Sequence, residues 1–251
     1  METVYFQNNR GERLAGLLCG GAGGRPVVVV CHGFTGSKEG RGKAVEMARF
    51  LDQNGWACLL FDFAGCGESQ GAPENISLSN HIGDLTSAID LCQDRGLGPV
   101  VTMGRSFGGS TVLCQAAGDP RVKAVCTWAA PAELSDLFLG LTDEDLPEDE
   151  NSLITLAGSE GMIQLKAGFF SDLLRHDVTG SASRLAPRPL LVVQGTRDEV
   201  VEPDQARRIF SAAGNPKKLA MVEGADHQFS AHYAEVWQIV LDWLKNSGIR
   251  E

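Results

Sequence analysis

The chain has 251 residues, 43% hydrophobic and 22% charged, enough apolar material for one large domain with its own core and no reason to expect disorder. Its net charge of −10 argues against a nucleic-acid backbone or an anionic membrane surface as partner. Seven cysteines, scattered with no C-x-x-C pair, read as reduced buried thiols of a cytoplasmic protein, and exclude a zinc motif of the usual spacing.

The first residues lack the basic and apolar regions of a secretory signal, and no apolar run approaches the length of a membrane span. Val4–Gln7 and Leu14–Cys19 predict a hairpin around the polar turn 8–12. Pro26–Cys31 is a β-branched run suited to a strand buried on both faces of a parallel sheet, ending in His32-Gly33-Phe34-Thr35-Gly36. Ala44, Met47, Ala48 and Leu51 follow helical spacing, closed by Asn54-Gly55. A strand over Ala57–Phe63 leads into a glycine-rich loop, and Ile82, Leu85, Ile89 and Cys92 mark another helix that stops at Gly96.

Next comes Val100 to Leu113: a short apolar run, then Gly104-Arg105-Ser106-Phe107-Gly108, then a helical start. A strand that reverses sharply into a helix strains the apex residue, and glycines two positions before and after it relieve the crowding. The hydroxyl of Ser106 would then stand at the carboxyl edge of the sheet, beside the first free N–H groups of the helix. Gly67-Glu68-Ser69-Gln70-Gly71 fits the same pattern, but its strand ends too early and Ala72-Pro73 follows where a helix is needed, so Ser69 reads as a loop serine.

Val122–Trp128 predicts a further strand. From residue 131 to 186 the rhythm changes to an acidic segment, poor in aromatic residues, read as a small cap inserted into a core domain of residues 1–130 and 187–251. Its acidity is that of a solvated face, or disfavours anionic substrates. Strand and helix alternation resumes with Pro189–Gln194, a helix over 203–213 and Lys218–Val222. A last helix follows, with Tyr233, Val236, Trp237, Val240, Leu241 and Leu244 on one stripe. Such alternation predicts a mostly parallel sheet with helices on both faces.

A serine hydroxyl needs a base to take its proton and a third group to hold that base. His227 lies in a loop beyond the last strand, on the same sheet edge as Ser106. Asp198 follows the 190–194 strand in the same way, with Glu199, Glu202 and Asp204 as fallbacks and Asp226 too close in sequence to face the ring. His81, His176 and His232 read as surface histidines, and His32 as a brace for its loop. The oxyanion donors expected are the backbone N–H groups of Phe34 and Phe107.

His32-Gly33-Phe34, the 62–69 loop, Gly104–Gly108, Gly195-Thr196-Arg197-Asp198 and Asp226-His227 together resemble an α/β-hydrolase over the whole chain. The H-G-F-T-G loop, the short length and the cap between the sixth and seventh sheet strands are most similar to bacterial esterases of the cinnamoyl/feruloyl type. The resemblance implies hydrolysis of small carboxylic esters, aryl or hydroxycinnamoyl esters among them, through an acyl-enzyme, with no cofactor or metal. The expected partner is a small ester substrate, with neither nucleic acid nor membrane, and a homodimer is the one assembly considered. A serine peptidase or acylaminoacyl-type hydrolase is the second enzyme reading, and a catalytically silent hydrolase-fold binding protein the third.

Overall fold

The computed structural model describes residues 1–158 and 161–249. It opens with an antiparallel hairpin of β1 (Glu2–Gln7) and β2 (Arg13–Cys19). Then β3 (Val27–Cys31), α1 (Lys43–Gln53), β4 (Ala57–Phe61), α2 (Leu78–Asp94), β5 (Val100–Arg105), α3 (Phe107–Gly118) and β6 (Val122–Trp128) alternate. The segment 131–186 carries α4 (Leu134–Leu139), the hairpin β7 (Leu153–Gly158) and β8 (Gly161–Lys166), α5 (Gly168–Leu173) and α6 (Val178–Ser183). The chain closes with β9 (Leu190–Gly195), α7 (Pro203–Ala212), β10 (Lys217–Val222) and α8 (Tyr233–Asn246).

Eight strands form one sheet in the order β1-β2-β4-β3-β5-β6-β9-β10, antiparallel at β1, β2 and β4 and parallel from β4 onward. The alternation of side chains along a strand explains the two cores. Val27 and Val29 of β3 join the apolar cluster formed with α2 and α3, whereas Val28 joins the cluster with α1 and α8. On α1, Met47, Ala48 and Leu51 are buried, and on α8 Val236, Val240 and Leu244, the three-and-four spacing that faces one stripe inward. The Ser77 hydroxyl caps α2 by accepting from Asn80 N–H at 3.1 Å, and Gly96, at φ 68°, turns the chain out of it.

The strand expected to run to Phe63 stops at Phe61, because the Phe63 N–H leaves the sheet to donate to His32 Nε2 at 3.2 Å. The β7–β8 hairpin has no counterpart in the sequence reading. It buries Ile154, Leu156 and Leu165 and leaves Leu153 and Met162 exposed. Those buried residues, with Phe138 and Phe169, join the same apolar cluster as Phe107, while α6 packs against α3 and α7. Among the described residues no helix is long and apolar enough to cross a membrane.

Candidate functional site

Ser106 sits between β5 and α3 with φ 54° and ψ −126°, a conformation that costs on the order of 1–3 kcal/mol for a residue bearing a Cβ. The surroundings hold it there. Its N–H donates to the Trp128 carbonyl at 2.8 Å, and its own carbonyl accepts from Gly109 N–H at 2.7 Å. A Cβ on Gly104 would overlap the Gly108 carbonyl, and one on Gly108 would overlap the His32 carbonyl. Gly109 is a third necessity that the pattern did not supply, since a Cβ there would come 2.6 Å from that of Ala130.

The loop after β3 passes directly over this turn, a Cβ on Gly33 falling 3.3 Å from that of Ser106. Neither the Phe34 nor the Phe107 N–H donates to a protein acceptor among the described residues. Their rings lie 6.1 Å apart, edge to face, and both contact Phe138 and Phe169 from the 131–186 segment, at 4.9 to 6.0 Å. The segment is poor in aromatic residues, yet it places two of them here.

Two structures brace that loop. His32 accepts from Phe63 N–H through Nε2, so its Nδ1 carries the proton and donates to the Gly33 carbonyl at 2.8 Å; burial keeps the ring neutral, below its usual pKa. Lys38, its side chain 1% exposed, bonds Asp62 at 2.7 Å and Glu68 at 2.5 Å, and pairs with Glu39 at 3.0 Å. Burial opposes its charge, but these carboxylates outweigh burial and hold its pKa above the ordinary value. Asp62 also accepts from the backbone N–H groups of Lys38 and Glu68. Neither residue stood out in the sequence; the only signal was a lysine after one strand and an aspartate after the next.

Asp198 and His227 meet. Nδ1 of the histidine lies 2.9 Å from Oδ2 and 3.1 Å from Oδ1 of the carboxylate, which is buried and also accepts from Gln194 Nε2, Val200 N–H and Val201 N–H at 2.8 to 3.0 Å. This acceptor fixes the proton on Nδ1 and leaves Nε2 with its lone pair. Asp226 instead accepts from Ser230 N–H at 2.8 Å, a bond that keeps its carboxyl below the usual range. Among the described residues Glu199, Glu202 and Asp204 make no hydrogen bond or ion pair with His227, whose partner is Asp198.

The serine and histidine loops are tied by their neighbours, Arg105 donating to the Gln228 amide oxygen. Among the described residues no hydrogen bond joins the Ser106 hydroxyl to His227, whose partner is Asp198. The rival serine is accounted for structurally: Ser69 Oγ donates to the Asp62 carbonyl at 2.6 Å and accepts from Ala15 N–H at 2.9 Å.

One of the three histidines read as surface residues differs from expectation. His81 is buried, stacked on Phe63 with centroids 3.8 Å apart and planes at 3°, because the start of α2 lies beneath that ring; among the described residues neither ring nitrogen has a hydrogen-bond partner. His232 is half-buried with Nδ1 enclosed, and His176 contacts Ser79 Oγ at 2.9 Å. Among the described residues no three His, Cys, Asp or Glu side chains converge as a metal site.

A family model described as the alpha/beta hydrolase fold matches residues 26–155. The uncharacterized protein YfhR of Salmonella typhi is 28% identical over 247 residues, covering 94% of this chain and 78% of that one. Among solved structures, Est1E of Butyrivibrio proteoclasticus with ferulic acid bound superposes with a TM-score of 0.85 at 23% identity, over 97% and 98% of the two chains. The esterase domain of a Rhodothermus marinus protein gives 0.78 at 28% identity, over 98% of each.

Proposed function

The chain belongs to the α/β-hydrolase family, and on that footing we propose that it is a serine hydrolase of small carboxylic esters. The observation that carries the reading is the Ser106 backbone, held at positive φ at the end of β5 although a serine gains nothing locally from it. Strain of this kind has a use where a nucleophile must project from a turn.

In this mechanism His227 Nε2 takes the hydroxyl proton as Ser106 Oγ bonds to the ester carbonyl carbon. The imidazolium that forms is stabilised by Asp198. Negative charge on the former carbonyl oxygen is received by the N–H groups of Phe34 and Phe107, neither of which has another acceptor among the described residues. Collapse breaks the carbon–oxygen bond to the alcohol, which leaves with the proton from His227. Water then attacks the acyl-serine, gives its proton to His227, and the acid departs as Ser106 recovers its hydrogen.

The segment 131–186 serves as the cap, its Phe138 and Phe169 lying against the rings of Phe34 and Phe107. Similarity to the Rhodothermus marinus esterase domain supports ester chemistry, and the ferulic acid bound to Est1E makes aryl and hydroxycinnamoyl esters the first substrates to try.

The test is Ser106→Ala. It should lose turnover of p-nitrophenyl butyrate while keeping the wild-type melting temperature, and a fluorophosphonate should label wild type at Ser106 alone. Undiminished turnover in the variant, or labelling elsewhere, rejects the reading.

A further inference from the structure

Behind the serine turn, between the starts of α1 and α8, lies a cavity of about 190 Å³. None of Ser106, Asp198, His227, Phe34 and Phe107 lines it, but Gly104 and Arg105 bring its wall up to the serine and Gln228 brings it up to the histidine. Lys38, Arg41, Lys43 and Arg105 line it, and among the described residues no aspartate or glutamate does. In a chain of net charge −10, four cations without a carboxylate on one concave wall need an explanation.

Two of the four are already committed. Lys38 holds Asp62, Glu68 and Glu39, and Lys43 pairs with Glu46 at 2.8 Å, its ammonium 5.6 Å from the Tyr233 ring centroid. Arg41 and Arg105 have no ion pair among the described residues. Among the described residues the Arg105 side chain bonds only the neutral amide oxygen of Gln228. Burial presses its guanidinium below the ordinary value and the charge of Arg41 adds to this, against opposing pulls from Tyr233, Asp198 and Asp226. A planar fork of donors enclosed beside a second cation is what an oxyanion completes. The rest of the wall includes Met47, Met103, Trp128 and Trp237, which suit an apolar body.

We propose that this cavity binds a small organic oxyanion, a carboxylate or phosphate on an apolar body, with Arg105 as anchor and Arg41 as second cation. Binding draws Arg105 away from Gln228 and onto the ligand. The site is separate from the one where the ester reacts, and it makes an anionic molecule a partner of a strongly acidic protein.

Trp128 and Trp237 supply a readout. The whole protein is titrated with benzoate, phenyl phosphate and neutral benzamide, followed by tryptophan fluorescence and calorimetry. At least one anion should bind saturably, the two arms deciding the headgroup. Benzamide, and the better anion with Arg105→Met, should bind weaker by about tenfold or more, the worth of a charge-assisted hydrogen bond. Arg41→Ala, at an exposed position that keeps the fold, should weaken the anion by a smaller factor. Ser106→Ala should bind it as tightly as wild type, so the result stands apart from the esterase reading. No saturable signal with either anion, equal affinity for benzamide, or undiminished affinity in both arginine variants overturns the proposal. Weakened binding in Ser106→Ala overturns it too, by assigning the anion to the ester site.

Discussion

Asp198 Oδ2 lies 2.9 Å from His227 Nδ1, and each oxygen of that carboxylate is also held by donors of its own loop and strand. The carboxylate is therefore fixed before it orients the ring, and only its acceptor character keeps the Nδ1 proton in place.

Asp198→Asn turns an acceptor toward Nδ1 into an amide donor, which favours the tautomer with its proton on Nε2 and, in the proposed mechanism, removes the base. Turnover should fall by about 10³ to 10⁴ with the shape of the site kept. Steady-state kinetics on p-nitrophenyl butyrate, beside a melting curve, checks this. A loss below tenfold would mean that another acid supports His227.

Lys38 and its three carboxylates separate a buried pair from an exposed one. Lys38→Met leaves Asp62, 0% exposed, without its cation and should cost about 3–5 kcal/mol. Glu68→Gln, at a side chain 66% exposed, should cost about 1 kcal/mol or less. Urea denaturation of both variants gives the ratio directly.

Burial holds His81 well below its usual pKa, with the charge of Arg10 acting in the same direction, and His32 is lowered by burial as well. Both rings stay neutral in the folded protein, while the unfolded chain takes up protons below about pH 6.5. Their stabilising contribution is thus complete above that pH and is lost as the pH falls toward the folded values. Each lowered ring contributes up to about 1.4 kcal/mol per pH unit. His81→Phe, which keeps the stack on Phe63, should make the slope of stability between pH 6.5 and 5 shallower, as read from urea midpoints.

The serine turn was legible because its glycines stand at fixed short spacing around one serine: Gly104 is kept bare by Gly108 within the turn, even though Gly108 itself is kept bare by the distant His32 and Cys31. The meeting of Asp198 and His227 was legible because both follow parallel strands, whose carboxyl ends share one edge. What escaped notice depends on contacts distant in sequence. His81 resembles any polar residue at a helix start until α2 is seen to lie under Phe63. Lys38 and Asp62 are 24 residues apart and meet only after two strands have paired. The β7–β8 hairpin is short and half-exposed, so its alternation is too brief to distinguish from a loop.

The four interlocked rings of Phe34, Phe107, Phe138 and Phe169 bear on how such a protein could change its diet. Phe34 and Phe107 carry their backbone N–H groups on the same residues whose rings lock with Phe138 and Phe169, so a change of volume at Phe138 or Phe169 would be felt at those peptide groups. Under the ester-hydrolase reading, a change of substrate range is gentler on those groups when made at half-exposed Leu137, Leu141 or Ile163, which only border the same cluster.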